Sequence, residues 1–106
     1  MIFNTSEDIK KDIKLKVSNY LKETIGQGTN IDTNNIISLL RSYLYELKIR
    51  KEVTDSTIND HRNFTINVNF VRDNETIDFD IDLFNELRKL KIIKIKDHDN
   101  LMKYFV

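Results

Sequence analysis

The chain predicts an α+β fold: two N-terminal helices packed on a small antiparallel sheet, then a short C-terminal helix and a tail. Three observations lead there. Residues 64–83, FTINVNFVRDNETIDFDIDL, alternate apolar and polar residues on both sides of a turn, as a half-buried antiparallel hairpin requires. Two earlier stretches place apolar residues at helical spacing. The length, 106 residues, suits one domain spanning residues 1–106 with one modest core.

Residues 1–5 read as a short apolar lead-in. Thr5 or Ser6 is suited to cap the first helix, with Glu7 and Asp8 in the first turn where the helix dipole favours acids. Ile9, Ile13, Val17, Tyr20, Leu21 and Ile25 follow helical spacing, and Lys10, Lys11, Lys14 and Lys22 decorate the other side. Gly26 and Gly28 are expected to stop this helix with a left-handed cap. Asp32 or Thr33 caps the second helix, whose stripe is Ile36, Ile37, Leu40, Tyr43, Leu44 and Leu47. Leu39 and Tyr45 widen that stripe, which predicts burial on more than one side.

Residues 52–59, EVTDSTIN, form a weaker strand candidate. Val53 and Ile58 cannot share a face of a regular strand, so a bulge or turn is expected between them. In the hairpin, a two-residue turn at Asp73-Asn74 sets Phe70 against Ile77, Val68 against Phe79, Ile66 against Ile81 and Phe64 against Leu83. The polar face then pairs Asn69 with Asp78, Asn67 with Asp80 and Thr65 with Asp82. Residues 84–90 read as a helical turn or two. Residues 91–96, KIIKIK, extend that helix or form a lysine-guarded edge strand. Residues 97–100 read as a turn before an apolar C-terminus, LMKYFV.

Composition narrows the function classes. Cysteine is absent, so there is no disulfide framework, thiolate metal site or thiol nucleophile. No stretch approaches the ~18 apolar residues of a membrane span, and the N-terminus lacks the pattern of a signal peptide. Formal net charge is zero but unevenly spread. Residues 51–83 hold eight acids and three bases, whereas residues 84–106 hold three acids and six bases. An acidic hairpin before a basic tail argues against general nucleic-acid affinity and suits self-association or a charged protein partner.

No catalytic constellation is readable. Asp78, Asp80 and Asp82 fail as a calcium loop, because Leu83 and Lys89 stand where glycine and glutamate belong. His61 and His98 lack a second ligand at useful spacing, and Gly26-Gln27-Gly28 follows a helix rather than a strand. We expect a non-enzymatic protein without metal or cofactor. The three aspartates should repel one another, which makes Arg88, Lys89, Lys91, Lys94 and Lys96 candidate partners, from the same chain or a neighbour. Tyr45 is the exposed-aromatic candidate; Tyr104 and Phe105 belong to a tail that either folds back or reaches a neighbouring subunit. The candidate interface residues are therefore Tyr45, Asp78, Asp80, Asp82, Arg88, Lys91, Lys94, Lys96, Tyr104 and Phe105.

The layout resembles small domains of contractile phage tails. In the sheath initiator family of the baseplate wedge, a helix ends in Tyr-Glu-Pro-Arg-Ile before the strands. Here Tyr45-Glu46-Leu47-Lys48-Ile49 matches at Tyr45, Glu46 and Ile49, keeps a base at Lys48 and departs at Leu47. Residues 21–58 are also similar to the helix, loop, helix and strand run of the tail sheath C-terminal domain. The resemblance implies a structural role, with sheets completed by strands from neighbours. The expected function is a virion component of a phage tail or baseplate, made in the host cytoplasm. It would contact other virion proteins or copies of itself through a sheet edge and the basic tail. The alternative is a small phage-encoded regulator that binds one protein through its acidic hairpin face.

Overall fold

A computed structural model describes residues 3–59, 63–72, 74–91 and 102–106. The element order is α1 (Ser6–Gly26), α2 (Thr33–Ile49), β1 (Val53–Asn59), β2 (Asn63–Phe70), β3 (Glu75–Asp82) and α3 (Leu83–Lys89). The three strands form an antiparallel sheet in the order β1-β2-β3. This is the α+β arrangement expected from the sequence.

Thr5 caps α1 through a capping box. Its hydroxyl accepts from the Asp8 N–H at 3.2 Å, and Asp8 Oδ2 accepts from the Thr5 N–H at 3.1 Å. Two otherwise unpaired donors are thereby satisfied, worth about 1 kcal/mol. Ile9, Ile13, Val17 and Leu21 bury one stripe of α1. Asp32 caps α2 by accepting from the Asn34 N–H at 2.9 Å, and Ile36, Ile37, Leu40, Leu44 and Leu47 bury its stripe. These stripes and the sheet residues Val53, Phe64, Ile66, Val68, Phe70, Phe79 and Ile81 close one core. Within it α2 packs on β1, and α1 packs on β3 and α3. Tyr45 corrects the expectation of a widely buried α2: it is 66% exposed, while Leu39 is half-buried.

All three helices end on a left-handed residue. After α1 this is Gly28, with φ 73°, whereas Gly26 lies within the helix. The Gly28 N–H donates to Ile25 O and the Thr29 N–H to Thr24 O, the paired bonds of a Schellman cap. After α2 the same bonds run from Lys51 to Lys48 O and from Glu52 to Leu47 O, but Lys51 carries the φ of 62°. Lys91, with φ 56°, follows α3. A non-glycine residue in this region costs ~1–2 kcal/mol. Lys51→Gly should therefore raise stability by about 0.5–1 kcal/mol, after the greater freedom of glycine in the unfolded chain is offset. Urea denaturation midpoints test this; an unchanged or lower midpoint would contradict it.

The expected irregularity in β1 is a bulge. Val53 pairs with Phe70 and Ser56 with Val68, so Thr54 and Asp55 together oppose Asn69. The extra residue returns Val53 and Ile58 to the same, core-facing side.

The hairpin register differs from the expected one by two residues. Val68 faces Ile77, Ile66 faces Phe79 and Phe64 faces Ile81. The connection is residues 71–74, not a two-residue turn; Asn74 adopts φ 48° and donates to Val71 O. Four-residue loops are common in hairpins, and asparagine tolerates the left-handed region. A shift of two preserves the faces, because side chains alternate with period two. Leu83 starts α3 instead of ending the strand, and Asp82 caps that helix by accepting from the Phe84 and Asn85 N–H groups.

Candidate interaction surfaces

The sheet face turned away from the helices is polar throughout. Across the strands its residues form the rows Asn59, Thr65, Asp80 and Thr57, Asn67, Asp78. Thr65 Oγ1 donates to Asp80 Oδ1 at 2.8 Å, and Asn67 Nδ2 donates to Asp78 Oδ1 at 2.5 Å. These neutral donors, one strand away, show how successive aspartates are accommodated on β3. Asp82 has a separate task, the α3 cap. Of the suggested basic partners, Lys89 lies 3.5 Å from Glu86, and Glu86 also accepts from Ser18 Oγ at 3.3 Å, which ties α3 to α1. Arg88 is half-buried in α3, and Lys91 is exposed at its end. Lys94 and Lys96 lie outside the described residues, as do His61 and His98.

The last five residues dock within the chain. The Ile31 N–H donates to Tyr104 O at 2.6 Å, and the Val106 N–H donates to Ile31 O at 2.9 Å, forming a parallel bridge between Ile31 and Phe105. Phe105 meets Phe84 edge-on, ring centres 5.5 Å apart. Tyr104 and Phe105 are thus half-buried against their own core. Residues 102–106 take the fold-back course of the two the sequence left open.

Tyr43 links the helices. Its hydroxyl donates to Asp12 Oδ2, and Lys16 Nζ lies 5.0 Å from its ring centre. Burial, then the hydrogen bond to Asp12 and that carboxylate's charge, raise the phenol well above the ordinary tyrosine value of 10.0. The folded chain therefore holds this proton more tightly than the unfolded chain does. The resulting stabilisation is complete below pH 10 and is lost as the pH climbs toward the folded-state value. Chemical denaturation on both sides of pH 10 should show a steeper alkaline loss for the wild type than for Tyr43→Phe. Parallel pH profiles would contradict the assignment.

The feature sequence reasoning missed lies between α2 and β1. Arg41, Tyr45 and Lys48 stand at i, i+4 and i+7 along α2, outside its buried stripe. With Leu44 and residues 55–58 of β1 they line an open groove of about 440 Å³. Neither Arg41 nor Lys48 has an ion-pair partner among the described residues, whereas Arg50 pairs with Glu46 at 2.5 Å. β1 is one of two outer strands, and no described strand pairs with its outer edge. The i, i+4, i+7 spacing was readable; the strand order that brings an open edge beside it was not. No protein-family model matches the chain, and no curated protein or solved structure matches it either.

Proposed function

We propose that this chain is a non-enzymatic assembly component that contacts neighbouring subunits through an edge of its sheet. The observation that supports this most is the outer edge of β1, which runs along the floor of an open groove walled by Arg41, Tyr45 and Lys48. An unpaired edge is a template for another chain unless it is guarded. The bulge at Thr54 and Asp55 guards only the start of β1, and Ser56–Asn59 keeps a regular pairing register on its inner side. The setting we favour is a phage tail or baseplate. What supports that setting is the resemblance of Tyr45–Ile49, at the end of α2 and ahead of the first strand, to the sheath initiator motif.

A second reading has its own support. The polar face carrying Asp78 and Asp80 is broad and acidic, and would suit a regulator that binds one basic protein surface. Light scattering behind a sizing column, across concentration and at low and high salt, separates the two. Rings or concentration-dependent polymers support assembly. A monomer at every concentration removes self-assembly and leaves a heterologous partner to be found.

A further inference from the structure

We infer that the groove between α2 and β1 receives an extended acidic segment of a partner protein, added to β1 as an outer strand. This rests on the assembly reading and names the chemistry of the partner. In a strand, alternate residues point their N–H and C=O groups toward opposite neighbours. Every second residue of Ser56–Asn59 therefore offers its backbone groups on the side away from β2. An added strand would satisfy them in the manner of other strand-addition sites.

Its side chains on the helix side would meet α2. Arg41 and Lys48 are separated by seven residues, ~10.5 Å along a helix at 1.5 Å per residue. Strand residues four apart are separated by ~13 Å, within reach of two long basic side chains. The residue midway between them would lie against Tyr45 and Leu44. The geometry thus favours an acidic-x-apolar-x-acidic pattern. Asp55 also lines the groove, at the bulge, and restricts the acidic positions to the regular part of the edge.

The other outer strand of a second copy does not fit. In β3, the other outer strand, the residues on the core side are Glu75, Ile77, Phe79 and Ile81, while Asp78 and Asp80 face the opposite way. Continuing the sheet with β3 of a copy would place apolar residues against Arg41 and Lys48. The one place in this chain with the acidic-x-apolar-x-acidic spacing, Asp82, Phe84 and Glu86, is the cap and first turns of α3 rather than an extended segment, so we assign the occupant to a different protein.

Fluorescence polarisation on the full chain tests this with a labelled peptide, TETLTET, and its charge-swapped form, TKTLTKT. TETLTET should bind, weaken with salt, and lose binding when its edge-facing amides are N-methylated. TKTLTKT should bind at least about tenfold more weakly, a difference of ~1.4 kcal/mol. The double variant Arg41→Glu, Lys48→Glu changes only exposed side chains, so it should fold and should reverse the preference. The inference is overturned if TETLTET fails to bind at about 1 mM, if both peptides bind the wild type alike, or if the double variant keeps the wild-type preference. Polymers in light scattering with no peptide preference would sink this inference and leave the assembly reading standing. A monomer with the predicted peptide preference would do the reverse for self-assembly.

Discussion

Phe70→Ala should cost about 3–5 kcal/mol, the range for emptying a buried phenylalanine site, and leave the domain close to unfolding. Phe70 is fully buried at the end of the central strand, where it pairs with Val53 beside the bulge. It therefore helps hold β1 against β2 as well as filling the core. Domains of this kind have ~5–15 kcal/mol of stability in total, so the loss would take up much of it. Guanidinium denaturation measures the change. Tyr45→Ala is the matching control: Tyr45 is 66% exposed and has no core role, so its removal should change stability by less than about 0.5 kcal/mol. Comparable losses from the two variants would mean that the sheet is not seated on the helices as described.

Deleting residues 102–106 should lower stability by about 2–3 kcal/mol. Two backbone hydrogen bonds to Ile31 contribute ~1 kcal/mol each, and the edge-on contact of Phe105 with Phe84 contributes about another 1 kcal/mol. Ile31, now fully buried, would face water. For a domain of this size the melting temperature should fall by roughly 10 °C or more. A truncated chain that melts with the wild type would mean these residues act as a free arm and not as part of the core.

Much of the architecture could be read from residue spacing, because apolar period alone sets which side of each element faces inward. The odd spacing of Val53 and Ile58 called for a bulge or a turn, and a bulge is present. The same reasoning misplaced the hairpin by two residues. Period two distinguishes faces but is blind to a shift of two, and Asp73-Asn74 resembled a two-residue turn more than the end of a four-residue one. Helix ends were readable where glycine marked them, at Gly28. The ends of α2 at Ile49 and α3 at Lys89 also lie close to where the residue pattern puts them, but the left-handed residues that follow, Lys51 and Lys91, were not readable, since lysine carries no left-handed signal. Asp82 does end β3, paired with Asn63, as its alternation with Asp78 and Asp80 indicates; its second role, capping α3, is the part that the alternation does not reveal. Its position just before Leu83-Phe84-Asn85-Glu86 was the overlooked sign of a helix cap.

The interaction surface was less legible. Tyr45 was recognised as exposed, and Arg41 and Lys48 lie on the same helical stripe, yet a helical stripe alone does not say what lies opposite. That depends on strand order, which places β2 in the centre and leaves β1 outermost beside α2. The acidic hairpin face was seen correctly as polar. How its charges are accommodated was not, because Thr65 and Asn67 serve Asp80 and Asp78 only in the observed register.

The central claim is that the outer edge of β1 is open for a partner. Amide hydrogen exchange of the isolated monomer, resolved by NMR, tests it most directly. The account predicts fast exchange at alternate amides over Ser56–Asn59, slow exchange along β2, and protection of the fast set when TETLTET is added. Uniform protection of β1 in the free monomer, equal to that of β2, would contradict it.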